Sequence, residues 1–247
     1  NPYPSYIDFD EFASTNSVIL GGEGYLEYMT LNEGRTAYVY YVKGSSANSH
    51  ESVAPRYIHA HQGFIINAAN GGTITFNEDM RTNAGTETYR KDNDTIAFPL
   101  VNLFATDSNG KQEIAVIELV RPEAGGAIKM RDMHFANCVM YAHYEEENYA
   151  IAFTKEGETS VPVRFEAIND DNFTLTWETR NGTFEYLHLI DNLTGADIDM
   201  LTCNNYKFNG KTTDYSSRFK LVFEYTGVEE NEEEIAQDNF AFMMNDN

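Results

Sequence analysis

The sequence predicts an all-β protein made of two packed antiparallel β-sandwich units, jelly-roll-like in type, with a short acidic C-terminal tail. Three observations carry this expectation. Apolar residues recur with period two: Phe173, Leu175 and Trp177 alternate with Thr174, Thr176 and Glu178, and Phe219, Leu221, Phe223 and Tyr225 alternate with Lys220, Val222 and Glu224. Successive side chains of a strand point to opposite faces, so each set forms one apolar face. Asn-Gly pairs occur at Asn70-Gly71, Asn109-Gly110, Asn181-Gly182 and Asn209-Gly210, and such pairs accept the positive φ angles of tight hairpin turns. Sustained helical periodicity is absent, and many short strands with frequent turns argue for sandwiches over an α/β fold.

In chain order, Asp8 to Ala13 reads as a single short helix, because Asp8 and Glu11 have capping-box spacing. The runs Thr36 to Val42, His61 to Ala68, Gly72 to Phe76, Glu113 to Val120, Val161 to Ala167 and Phe184 to Ile190 read as strands. They are rich in the aromatic and β-branched residues that suit a pleated surface. Asn181-Gly182 lies between two strong strand candidates and is the foremost hairpin expectation. The polar stretch from Arg81 to Arg90 ends at a boundary near Asp92 to Asp94, which divides the chain into units 1–93 and 94–226, both of acceptable domain size. Residues 227–247 read as an acidic linker or the start of a following module. Glu229, Glu230, Glu232, Glu233 and Glu234 repel one another, and an apolar patch follows at Phe240 to Met244. The chain is expected to be part of a longer polypeptide, with removal of 229–247 leaving the melting midpoint nearly unchanged.

Among 247 residues, 39 are acidic and 17 basic, a formal net charge of -22. Such a chain repels phosphate backbones and anionic lipid, which argues against nucleic-acid and membrane-surface binding. No apolar run approaches the roughly 20 residues of a spanning helix. The start, Asn1-Pro2-Tyr3-Pro4, has neither a basic nor an apolar leader region, so any export signal is expected outside this chain. Two cysteines, Cys138 and Cys203, are too few for a disulfide framework; both sit in apolar strand-like contexts and read as buried thiols, with a single disulfide as the alternative.

No catalytic residue and no cofactor site is expected. There is no G-x-S-x-G elbow and no Walker loop. His50-Glu51 opens like a zinc-protease motif, but Ala54 stands where the second histidine belongs. His59 and His61 lie two apart at a strand entrance and would share a face; two ligands on one strand do not close a four-ligand structural zinc site. His134, His143 and Cys138 fit no metal-ligand spacing, and His188 reads as an ordinary strand histidine. Asp197 and Asp199 could face together and hold Ca²⁺ with Asp191 nearby, although the EF-hand pattern is absent. Tyr25, Tyr28, Tyr38, Tyr40 and Tyr41 are dense enough to stack on sugar rings if exposed, but aromatics dominate cores, and a core role is expected.

Several segments resemble a known group of proteins. Asn1 to Asp10 followed by Val18 to Tyr25 is similar to an opening found in large surface proteins of the Bacteroidetes. Ile58 to Phe64, ending Gln62-Gly63-Phe64, and Thr75 to Asn83 resemble further segments of that family. Downstream, Val161-Pro162, Thr174 to Glu178, Tyr186 to Thr194 and Ser217 to Phe219 resemble the β-sandwich region that precedes its type IX secretion sorting domain. His59, Ala60 and His61 replace a proline-containing turn of that pattern. The resemblance implies export, a cell-surface or extracellular place, and a non-enzymatic role in adhesion or display, with an extracellular protein or glycan as ligand. It carries no catalytic residues. The alternatives are a carbohydrate-binding or glycan-processing accessory domain, suggested by the tyrosines and carboxylates, and a purely structural spacer.

Overall fold

A computed structural model describes residues 1–21, 27–32, 34–45, 54–83 and 98–228. The expected boundary at 93/94, Tyr25, His50, the glutamate run from Glu229 and the patch at Phe240 to Met244 lie outside the described residues. Strand takes up 51% of the described residues and helix 6%, so the protein is all-β.

The first part of the chain forms β1 (Tyr6–Asp8), α1 (Phe9–Thr15), α2 (Ser17–Leu20), β2 (Glu27–Leu31), β3 (Tyr38–Val42), β4 (Tyr57–Ile58), β5 (Ile65–Ile66) and β6 (Arg81–Thr82). These build two three-stranded sheets, ordered β4-β1-β6 and β3-β2-β5. Asp8 caps α1 as its spacing predicts, accepting a hydrogen bond from Asp10 N at 3.0 Å. It also takes both Nε and Nη2 of Arg56 at 2.8 Å. The spacing i, i+3, i+4 then places Phe9, Phe12 and Ala13 on one buried face. Phe9 packs on Tyr28 at 4.7 Å and Tyr28 on Tyr41 at 5.6 Å between ring centroids. Tyr28, Tyr40 and Tyr41 are core residues, as expected of dense aromatics.

Two expectations for this part are corrected. Gly72 to Phe76 is not a strand. Its backbone is held instead by the side-chain amide of Asn16, which donates to Thr75 O at 3.0 Å and accepts from Thr75 N at 2.8 Å. Within His61 to Ala68 only Ile65 and Ile66 pair, with β2.

The remainder forms β7 (Leu100–Thr106), β8 (Gln112–Arg121), β9 (Gly125–Ile128), β10 (Cys138–Tyr144), β11 (Glu147–Lys155), β12 (Ser160–Ala167), β13 (Asp171–Arg180), β14 (Gly182–Asp191), β15 (Ala196–Asp199), β16 (Tyr206–Gly210) and β17 (Phe219–Val228). They make one 11-stranded sheet in the order β15-β14-β17-β12-β10-β11-β8-β7-β13-β16, with β9 on β11. Neighbours are antiparallel except β11 and β8. β12 and β17 are far from β13 and β16 in this order. Even so, Phe165, Phe173, Phe208 and Phe219 interlock, with centroids 5.0 Å apart for Phe165–Phe173 and Phe165–Phe208 and 5.1 Å for Phe208–Phe219. The sheet therefore folds over, and its two halves face each other as a sandwich. Gly210 permits this contact: a Cβ there would lie 2.9 Å from the Phe173 ring and 3.0 Å from that of Phe165.

The Asn-Gly pairs behave differently from one another. Asn109-Gly110 does turn a hairpin, between β7 and β8, with Asp107 Oδ1 accepting from Asn109 N and Lys111 N at 2.8 Å. Asn181-Gly182 does not. Asn181 has a positive φ of 57°, but β13 pairs with β7 and β16 while β14 pairs with β15 and β17, so this turn carries the chain from one half of the sandwich to the other. Asn209-Gly210 is not a turn at all; it pairs within β16 against Asn172 and Asp171.

The outer face of the half β11-β8-β7-β13-β16 is covered over β11, β8 and β7, whereas the outward side chains of β13 and β16, such as Asn172, Glu178, Lys207 and Asn209, are exposed. Leu100, Ile114, Val116, Ile151 and Phe153 share one apolar cluster with Ile7, Phe9, Tyr28, Val39 and Val42 of the N-terminal layer. Polar contacts stitch the same junction: Gln112 N donates to Thr36 O at 2.8 Å, Ile128 N to Glu27 Oε2 at 2.6 Å, and Ser45 Oγ to Glu118 Oε2 at 2.8 Å. The opposite outer face, on β15-β14-β17, carries no such layer among the described residues.

Candidate functional site

On β14 the side chains of Leu187, Leu189 and Asp191 are buried, so Tyr186, His188 and Ile190 project outward. On β15 Ile198 is buried and Asp197 and Asp199 project outward; on β17 Leu221 and Phe223 are buried and Lys220, Val222 and Glu224 project outward. The register sets His188 between Asp199 and Val222, and Tyr186 opposite Glu224. The result is a small aromatic and acidic platform on an open sheet face.

Its geometry is tight. The Tyr186 and His188 rings stack with centroids 3.9 Å apart and planes 2° from parallel. His188 Nδ1 lies 2.6 Å from Asp197 Oδ1. A carboxylate only accepts, so Nδ1 carries the hydrogen, and in the neutral ring Nε2 is left as an acceptor. Asp199 accepts from Leu201 N and Thr202 Oγ1, each at 2.9 Å. The Thr202 hydroxyl, the Leu201 amide and the nearby His188 hold its carboxyl below the usual carboxylate range. Tyr186 is 37% exposed.

The residues singled out as metal candidates are dispersed. Asp197 and Asp199 do share a face, but Asp191 points inward and is fully buried against Arg218. His59 and His61 follow β4 in a turn rather than a strand, and His61 has a φ of 58°, so alternation does not put them on one face. His59 packs on the Tyr6 ring at 4.9 Å. His134 is exposed, and His143 Nδ1 faces Asn148 Oδ1 at 2.8 Å. Among the described residues no three His, Cys, Asp or Glu side chains converge as a metal site. No helix among them is long and apolar enough to cross a membrane.

Cys138 and Cys203 are both free thiols. Cys138 is buried as expected, and burial followed by the Glu113 charge pushes its ionisation up, whereas Cys203 is exposed in the segment after β15. Native protein should therefore take up one equivalent of a maleimide, at Cys203, and a second only on unfolding. Two equivalents in the native state, read by intact mass, would contradict this placement.

A second feature is a shallow open depression of about 350 Å³ lined by Val120, Arg121, Pro122, Lys155 and Glu156. Val120 has a φ of 62°, costly for a β-branched side chain, at the register shift between β8 and β11. The shift delivers Arg121 between the Phe98 and Phe153 rings, 4.5 and 4.3 Å from their centroids, where Nη1 donates to Glu118 Oε1 and Gly44 O. That cation is already neutralised by Glu118 and serves the junction between the layers.

Tyr186 and His188 look in sequence like any alternating strand pair, and of the dense tyrosines upstream Tyr28, Tyr40 and Tyr41 are buried and Tyr38 is half-buried. A family model described as a domain of unknown function (DUF8693) matches residues 1–223. No curated protein and no solved structure matches the chain.

Proposed function

The chain belongs to the family described as a domain of unknown function (DUF8693), and on that premise we propose that it is a non-enzymatic module of an exported surface protein with a role in adhesion or display. The single observation behind this reading is the asymmetry of the sandwich. One outer face is plated over β7, β8 and β11 by the N-terminal layer, and the other, on β15-β14-β17, presents aromatic and polar side chains that no other described residues cover. A rigid scaffold with one free face suits presentation of a binding surface, since little ordering entropy is lost on contact. The likeness of the opening and of Tyr186 to Thr194 to Bacteroidetes surface proteins supports the place, outside the cell, and a net charge of -22 favours solubility and disfavours anionic surfaces.

The test has two arms. Intact cells making the full-length protein are labelled with an antibody to this chain, and beads carrying the purified chain are applied to epithelial cells and matrix-coated surfaces. Surface labelling with bead retention is expected. Labelling only after lysis would sink the surface assignment, and surface labelling with no retention on any substratum would leave a structural spacer.

A further inference from the structure

We infer that the Tyr186–His188 platform, flanked by Asp197 and Asp199, is a binding site for a neutral pyranose unit of an extended glycan; this rests on the adhesive role proposed above and gives it a ligand class. A pyranose presents a face of C–H groups and a rim of hydroxyls. Its recognition requires an exposed aromatic face for the first and fixed hydrogen-bonding groups beside it for the second. Tyr186 supplies the ring, 37% exposed on the sheet surface and stacked on the His188 ring with centroids 3.9 Å apart. Asp197 and Asp199 supply acceptors on the neighbouring strand, two residues apart on the same face. Each is already oriented, Asp197 by His188 Nδ1 and Asp199 by Leu201 N and Thr202 Oγ1. Such groups lose little freedom on binding, which matters for ligands whose hydroxyls are well solvated beforehand.

Charge decides the class of sugar. Glu224 lies opposite Tyr186, Glu185 is exposed beside it, and Lys220, opposite Ile190, is the one cation among the outward residues of these three strands. This disfavours sialic acids, uronic acids and sulfated sugars and admits neutral hexoses. The open face also fits a polymer lying across the sheet rather than a chain end enclosed in a pocket. A protein partner fits less well. A stable protein interface buries about 800 Å² per partner around an apolar centre, and here one exposed ring stands among charges.

The probes are neutral polysaccharides (β-glucan, mannan and galactan), with polysialic acid, heparin and oligolysine as contrasts, in affinity electrophoresis and titration of the full chain. Retention by at least one neutral polysaccharide and by neither anionic one is expected. Tyr186→Ala should weaken it about tenfold, with Tyr186→Trp retaining it and Asp197→Asn weakening it severalfold. Tyr215→Ala, at an exposed tyrosine outside the platform, should leave it unchanged. Circular dichroism of each variant separates loss of binding from loss of fold. Adhesion of beads without retention by any neutral glycan would overturn this inference while leaving the adhesive role standing. Retention that survives Tyr186→Ala, or preferential binding of oligolysine, would overturn it too.

Discussion

Replacing Arg218 by alanine should lower the melting midpoint by roughly 10 °C, corresponding to about 3–5 kcal/mol for a buried ion pair broken on one side. Arg218 is 1% exposed and Asp191 is fully buried. The guanidinium donates to Asp191 through Nε and Nη2, to Asn209 O through Nη1 at 2.9 Å, and covers the Phe208 ring at 4.3 Å. Tyr206 Oη donates to the same carboxylate at 2.9 Å. These contacts tie β14, β16 and the start of β17 together where the two free edges of the folded sheet approach each other. Removal of the arginine leaves Asp191 charged and buried without its counter-ion, held by Tyr206 Oη and Leu193 N, and frees the Asn209 carbonyl. Arg131→Ala breaks a half-exposed pair with Glu166 and should cost under about 1 kcal/mol. Burial alone would raise the Asp191 pKa, but the hydrogen bonds from Arg218 and Tyr206 outweigh it and hold the carboxyl below its ordinary value. Its contribution is therefore complete above the unfolded-state value near 4 and is lost as pH falls through the lower folded-state value. The wild-type chain should lose stability more steeply than an Asp191→Asn/Arg218→Met variant on acidification below pH about 4. Thermal unfolding followed by circular dichroism reads both effects, and a change of less than 2 °C in Arg218→Ala would show that the seam closes without this pair.

Glu27→Gln should stabilise the protein in alkali, with little effect near pH 5 and a gain on the order of 3 kcal/mol at pH 9. Glu27 is 7% exposed at the junction between the N-terminal layer and the sandwich, accepting from Ile128 N. Burial pushes its pKa up to about 8, against the opposing pull of that amide. Around it stand Tyr40, whose hydroxyl accepts from Met130 N, and the buried Lys129–Glu113 pair. A folded-state pKa above the unfolded value means that the neutral carboxyl's contribution is intact below about 4.5 and is lost as pH rises through about 8. Glutamine keeps the acceptor for Ile128 N and removes the ionisation. Glu113 is also pushed up by burial, with Lys129 opposing, so some alkaline slope should remain in the variant. Equal pH profiles for the two proteins between pH 5 and 9 would show that Glu27 ionises in contact with water.

Much of the fold was legible locally. α1 appeared where Asp8 and Glu11 announced it. The strands β3, β8, β12, β13, β14 and β17 fall within or around the alternating runs, because a half-buried strand must separate apolar from polar side chains residue by residue. What alternation does not encode is the partner. Asn181-Gly182 has the composition of a hairpin turn, and Asn181 the positive φ of its first position, yet β13 and β14 leave it in different halves of the sandwich. Gly72 to Phe76 has strand composition, but Asn16, more than fifty positions earlier, takes its backbone groups.

The site follows the same division. Residue types and local spacing alone determined an acidic, strand-rich chain, the helix α1 that Asp8 caps, the burial of Tyr28, Tyr40 and Tyr41, and the shared face of Asp197 and Asp199, but not the second helix α2. These depend on charge, on the two periodicities of the backbone and on side-chain area, all of which are written in neighbouring residues. Only the tertiary structure decided that Asp191 belongs to Arg218 rather than to Asp197 and Asp199, that His59 and His61 sit in a turn, that Cys203 is exposed, and that Tyr186 and His188 stand on a face that no other described residues cover. Each of these depends on which face of the folded sheet another layer covers, and that is set by contacts between segments tens to a hundred residues apart, whose pairing no local pattern specifies.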